Sequence, residues 1–300
     1  MSLKKGQCLL ITKGGRMRFR VVLFLALSGV TVLPVLALSG WIVLHAQERE
    51  AQIVKDTHLL LARNLGGALQ RYARDVKSSF KLAAEAALLG DPAARRSVLN
   101  LMNDLNYVHL CVADFETGVI NAGLFPKEFP CPAKVPGPRF ETFKSLVEGE
   151  EPIFSPVMPN PRGEPTIYVL MRRMGQLVIG AISTQYFVER GSAIAFGKLG
   201  HAAIVDQTGT VLAHPRPDWL ADMKNIAQVR PVAAMLRGET GTTTFFSPAL
   251  QADMVAGYTT VPATGWGVMI PQPEAEVRES AGNVQNWAMV IAGVTSVKLV

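Results

Sequence analysis

A few polar side chains in this sequence could converge on a small solute. In the segment Thr166 to Arg172, the side chains of Thr166, Tyr168, Leu170 and Arg172 share one face of a strand, so Tyr168 and Arg172 can point into one pocket. Arg139 carries a planar fork of donors suited to a carboxylate. Phe143 can cap a ligand, and His109, beside Leu110 in another apolar segment, can face the same space. Together these residues suit recognition of a carboxylate or a small neutral solute. Each also has a plainer role open to it: Arg139 solvated beside Pro138, Phe143 in an amphipathic core, Arg172 half exposed, His109 as a satisfied structural histidine.

Patterns for turnover are missing. The chain holds no GxSxG, no HExxH, no phosphate loop and no glycine-rich dinucleotide loop. Its five histidines are too dispersed to assemble a nucleophile and base, so no catalytic residue and no cofactor is expected. His201 and His214 flank one hairpin and could ligate a metal across it, but no third ligand is evident. Asp114 and Asp206 read as turn residues, because Asp bonds its own backbone two residues on.

Three kinds of element must position these groups. Apolar residues recur at Val54, Leu61, Leu65, Tyr72, Val76, Phe80, Ala83 and Ala87, close to a 3.6-residue period, which predicts a long helix. Gly66-Gly67 invites a bend in it. Asp91-Pro92 breaks it, and Ala93 to Leu105 resumes as a second helix. Short strands follow at Val108 to Ala113, Gly118 to Ala122, Thr166 to Arg172 and Leu177 to Ile182. Between the second and third lies a proline-rich stretch, Phe125 to Gly163, with a helical patch at Phe140 to Glu148.

An internal repeat organises the rest. The run Val112 to Ile120 resembles Ile204 to Leu212, each a strand, an Asp, a Thr-Gly turn and a strand. Gly149-Glu150 followed by Phe154-Ser155-Pro156 resembles Gly238-Glu239 followed by Phe246-Ser247-Pro248. Strand pairs close both copies, at Thr166 to Ile182 and Val255 to Ile270. Two matches in one order predict a duplicated α+β unit, an antiparallel sheet with helices on one face, joined through Gly191 to Gly200.

Charge placement locates the chain. The net charge is +6, but Lys4, Lys5, Lys13, Arg16, Arg18 and Arg20 supply that excess before a run without charged side chains, Val21 to Ala46. A basic flank beside such a run is a topology signal, and no basic stripe suggests nucleic acid. The predicted organisation is a cytoplasmic basic segment (1–20), a transmembrane helix (21–46), stalk helices (47–106), two sheet units (107–190 and 191–280) outside the cytoplasm, and a second, truncated span (281–300). Cys111 and Cys131 then lie in an oxidising compartment, where a disulfide could close the short Pro/Gly-rich loop between them. Two other readings are an anchored hydrolase and a module that binds an exported protein through Phe125 to Pro165.

At this point the chain resembles the double Cache family of bacterial sensors. The resemblance rests on the N-terminal span, the stalk helix, two tandem PAS-like antiparallel sheets, His201 to Pro215 with its Asp206-Gln-Thr-Gly turn, and Gly265-Trp266-Gly267-Val268 through Ala275. It covers roughly Gln47 to Ser280 and implies an inner-membrane receptor that binds a small ligand in the membrane-distal unit (107–190). The usual outputs of that family are histidine kinases, diguanylate cyclases and chemoreceptors. Dimerisation through the stalk helices is open. Amino-acid-binding members carry an Arg-x-Trp-[Tyr/Phe] cluster and a later strand-end Asp. Here Arg139-Phe140-Glu141-Thr142-Phe143 lacks the Trp, and Thr184-Gln185 stands where the Asp would fall, so the expected ligand is not a standard α-amino acid.

Overall fold

The computed structural model describes residues 19–90, 92–125 and 130–279. Asp91, most of the basic N-terminus and the apolar tail Trp287 to Val300 lie outside these residues. Two compact units divide at Arg49/Glu50. The first contains the start of α1 (Phe19–Leu89), which includes Pro34. Among the described residues, no helix is long and apolar enough to cross a membrane. Several side chains of the charge-free run Val21 to Ala46 are outside the described set.

The second unit is α+β, with two antiparallel sheets against the remainder of α1. Leu65, Leu69, Tyr72, Val76, Phe80, Ala83 and Ala87 of α1 are buried in one cluster, as the helical period predicts. α1 runs unbroken through Gly66-Gly67. Tertiary packing overrides the local weakness there. α2 (Pro92–Asp104) adds Val98 and Met102 to the same cluster.

The first sheet comprises β1 (Tyr107–Asp114), β2 (Ile120–Leu124), β3 (Ile153–Phe154), β4 (Met158–Pro159), β5 (Pro165–Arg173) and β6 (Gln176–Ser183). Its order is β2-β1-β6-β5-β3, with β4 also on β5. α4 (Gln185–Ser192) leaves β6 directly and leads to a small ribbon, β7 (Ala195–Phe196) with β8 (Gly200–His201). The second sheet comprises β9 (Ala203–Val205), β10 (Val211–Ala213), β11 (Gly241–Ser247), β12 (Ala252–Thr260) and β13 (Gly267–Pro273), in the order β10-β9-β13-β12-β11. The two sheets therefore share one order: second, first, last, next-to-last, third. Isolated bridges at Val119–Lys134 and Thr210–Asn225 extend the correspondence to the loops after the repeated turns.

Helices cover both faces of the sheets, where the sequence suggested one. Residues Thr166–Met171 of β5, Leu177–Ile182 of β6 and all of β13 are buried without alternation, so neither face meets water. One face of each sheet joins the α1 cluster. The other packs on α3 (Gly137–Leu146) in the first sheet, through Phe140 and Phe143. In the second sheet that role falls to α6 (Arg230–Leu236), through Val232 and Met235, with α5 (Pro217–Ala221) beside it through Trp219 and Leu220.

A polar joint connects the sheets. The Asp114 carboxylate accepts from Thr117 N at 2.8 Å and Glu116 N at 3.1 Å, the turn role expected of it. Asp206, fully buried, does the same through Oδ1 with Thr208 N and Thr210 N. Its second oxygen reaches across to the first sheet, where Val157 N donates to Oδ2 at 2.8 Å. Gln207 Nε2 donates to Phe154 O at 3.1 Å, and the Phe154 ring packs edge-on against Trp266, which packs against Phe187 of α4.

Candidate ligand pocket

Between the first sheet and α3 lies a cavity of about 440 Å³. This size suits a small metabolite. Its sheet side is His109 and Cys111 of β1, Ile120 of β2, Tyr168 of β5 and Ile179 of β6. α3 contributes Arg139 and Phe143, and the proline-rich loops contribute Pro130, Cys131, Pro132, Val135, Pro136 and Pro161.

The lining is apolar apart from a few groups. Arg139, half-buried, is the one cation among the described lining residues, and no carboxylate is found among them. Its Nη2 donates to Pro159 O at 2.6 Å, and Nη1 lies 3.4 Å from the Tyr168 hydroxyl. The fork is therefore held at the cavity with little of its donor capacity spent. Tyr168 is buried, and that burial pushes its phenol pKa up, so it stays a neutral hydroxyl. Phe143 is both core and lining: it is 1% exposed, and its ring centroid lies 5.0 Å from that of Tyr168. His109 is buried and also lines the space.

Arg172 is not brought to this site. It shares the Tyr168 face, but four residues further along a strand is about 13 Å away. There its guanidinium stacks over Phe115 at 4.1 Å, exposed to water. Period-two reasoning identified the face and not the reach along it.

The wall that sequence reasoning missed is the proline-rich loop. Cys111 and Cys131 are joined by a disulfide, with Cα atoms 5.9 Å apart, which pins the loop to β1. Val135 N donates to Gly118 O and Ile120 N to Ala133 O, so the loop also bonds the β1–β2 turn. The signal was present in the cysteines: a bond from β1 into the loop obliges the loop to cross the β1 face. Breaking it should loosen the cavity. For a sequence separation of 20 residues, the chain-entropy cost is about 3 kcal/mol. Cys111→Ser with Cys131→Ser should lower the melting temperature by roughly 6–10 °C. In thermal melts, dithiothreitol should reproduce that fall in the parent chain and have no effect on the double variant.

His201 and His214 belong to the second sheet's surroundings, with ring centroids 5.1 Å apart. Among the described residues, no group of three His, Cys, Asp or Glu side chains could hold a metal ion.

The sequence profile of the Cache domain, of the double-Cache type, matches residues 43–281. The chain belongs to the Cache domain family. A Cache domain is a non-catalytic ligand-binding fold, and the matched residues include both sheets and the cavity. No curated relative matches the chain significantly. Solved structures with the same Cache fold include the extracellular domain of rpHK1S-Z16, assigned to a histidine kinase (15% identity, TM-score 0.63, covering 76% of this chain and 97% of that one). The ligand-binding domain of the amino-acid chemoreceptor PctB of Pseudomonas aeruginosa, in complex with L-Arg, is 18% identical (TM-score 0.55, covering 75% and 97%). That of the chemoreceptor CtaA of Pseudomonas fluorescens, in complex with L-isoleucine, is 16% identical (TM-score 0.52, covering 78% and 96%).

These neighbours correct the expectation about ligand class. Cache domains with this architecture hold L-Arg and L-isoleucine, so α-amino acids cannot be set aside for this chain because Arg139 lacks a Trp two residues on. A short motif describes one way of building a carboxylate site, and its absence does not exclude others.

Proposed function

We propose that this Cache chain is the extracytoplasmic sensing part of a transmembrane receptor, and that its cavity takes a small carboxylate-bearing solute, α-amino acids included. The observation that carries the reading is Arg139, a half-buried guanidinium in an otherwise apolar cavity with no described carboxylate to neutralise it. A ligand carboxylate would complete the fork, and the prolines and Phe143 would cover an apolar body.

In this reading residues 107–190 form the membrane-distal unit, 191–280 the proximal one, and 21–46 the span, with the basic segment in the cytoplasm. Supporting the span, Val22, Leu23, Leu27, Val30, Leu33, Leu38 and Trp41 of α1 are exposed apolar side chains that a bilayer would cover. Output would pass to a kinase, cyclase or chemoreceptor part. The route available to a ligand is short. Tyr168 N and Ser155 Oγ bond at 3.0 Å, Ser155 N and Tyr168 O at 2.8 Å, and two residues later Val157 bonds Asp206. A ligand that prefers one arrangement of the cavity would then bias how the sheets sit on α1.

The test is calorimetry on the detergent-solubilised full chain with L-isoleucine and L-arginine, in parallel with Arg139→Ala. At least one probe should bind, and the variant should weaken it roughly 30-fold or more, the loss of a charge-assisted fork. Amino-acid binding that is indifferent to Arg139, or a full panel of amino acids and monocarboxylates in which no binding depends on Arg139, would overturn the proposal.

A further inference from the structure

A second cavity, of about 220 Å³, lies beneath α4 where it crosses to the second sheet. It belongs to no part of the site above: its walls are α4, the β7–β8 ribbon and the segment after β10. Most of the lining is apolar, including Val188, Ile194 and Ala202, and Ser192 spends its hydroxyl on Glu189 O. The two imidazoles, His201 and His214, remain.

Backbone contacts assign their tautomers. His201 Nδ1 lies 2.8 Å from Leu199 O, and a carbonyl only accepts, so Nδ1 carries the proton and Nε2 is a lone pair. Arg216 N–H donates to His214 Nδ1 at 3.1 Å, so this ring carries its proton on Nε2. Neither Nε2 is hydrogen-bonded to another described residue. The cavity thus presents one acceptor and one donor, on rings 5.1 Å apart, with His214 held flat against Trp219. Such a pair does not suit a metal, because His214 would have to give up its bond from Arg216 to free a lone pair on Nε2.

We infer that this is a second solute site, which takes a compact monocarboxylate together with one proton. The carboxylate would pair with His201 protonated at Nε2, and its other oxygen would accept from His214 Nε2–H. No bond in the ligand breaks, and the proton comes from solvent. Empty, the pair resists protonation: burial pushes both imidazoles below their ordinary pKa, and for His214, to about 4, the neighbouring His201 and Arg216 add to it. On the surrounding elements Arg216 pairs with Asp218 at 2.6 Å and Lys198 with Glu279 at 3.3 Å, Glu276 accepts from Lys198 N and Gln272 Nε2, Glu189 accepts from Gln185 Nε2, and Arg190 lies over the Tyr186 ring. α4 contributes no charged side chain to the lining. An anion between the rings would therefore find its countercharge by bringing a proton. The site is independent of the first cavity, yet α4 is the direct continuation of β6, whose Ile179 lines that cavity.

The experiment titrates sodium propionate into the solubilised full chain carrying Arg139→Ala, which disables the first cavity, in a carboxylate-free buffer. One binding event should remain. Its affinity should rise about tenfold for each pH unit lowered between 8 and 7, the signature of one proton taken up with the ligand. Histidine-selective NMR should show His201 Cε1–H moving to its protonated position as propionate is added. His201→Gln and His214→Gln should each abolish the event, and melting curves will show whether these variants are folded. Absence of any event in the Arg139→Ala chain, a pH-independent affinity, equal binding of propionamide, or retention of binding in folded glutamine variants would each overturn the inference.

Discussion

Gly257→Ala will cost the protein on the order of 3 kcal/mol or more and lower its melting temperature by about 10 °C. α1 crosses β12 with its backbone, not its side chains, in contact: a Cβ on Gly257 would overlap the main chain of His58 and Leu59. A clash with a flexible side chain is relieved by a rotamer change. Here the obstacle is a helix whose own hydrogen bonds fix it, so α1 must lift from the sheet. Lifting it would open the cluster that Leu65, Leu69 and Tyr72 share with Trp266 and Val268. Gly149→Ala is the control, since nothing lies within 4 Å of the added atom, and it should change stability by no more than about 0.5 kcal/mol. Chemical denaturation of the two variants checks the pair. If Gly257→Ala were as mild as Gly149→Ala, the close approach of α1 to the second sheet would be wrong.

Asp206→Ala should be comparably severe, about 3–5 kcal/mol. The carboxylate is fully buried and accepts four hydrogen bonds: from Thr208 N, Thr208 Oγ1 and Thr210 N on one oxygen, and from Val157 N on the other. Alanine removes the acceptor of all four donors; the exposed Thr208 can turn to water, but the buried Val157 N–H is left without a partner. Asp206→Asn separates the two roles. Its carbonyl oxygen can keep the turn, while its NH₂ faces the Val157 N–H and cannot accept. Amide exchange at Val157 should therefore accelerate in Asp206→Asn with the β9–β10 turn still protected. Asp114→Ala, which removes only an exposed turn, should cost much less. Equal effects at Asp114 and Asp206 would mean that the bond between sheets contributes nothing.

These two positions also mark where reading the sequence runs out. Asp114 and Asp206 look alike in the repeat, and both do form the turn, but Asp206 has a second partner 49 residues earlier in the chain, for which no local pattern exists. Gly257 sits in an ordinary strand run, and its requirement comes from a helix nearly two hundred residues away. By contrast, the α1 stripe and the repeated strand–turn–strand units were legible, because they rest on periods of 3.6 and two and on turn chemistry that local sequence encodes. Intermediate cases carried signals that were not used. The continuous apolar runs of β5 and β6 already meant two covered faces. Pro217 and Pro231 open short helices, in the first-turn position where proline is tolerated. At the site, Arg139, Phe143, Tyr168 and His109 meet around one cavity, while Arg172 shares their face and not their position.

The most direct measurement is a structure of the chain crystallised with whichever amino acid or monocarboxylate loses most affinity in Arg139→Ala. The account predicts the ligand between α3 and the first sheet, its carboxylate on the Arg139 guanidinium and its body against Phe143 and the disulfide-pinned proline loop. A ligand bound elsewhere, with Arg139 still donating only to Pro159 and Tyr168, would contradict it.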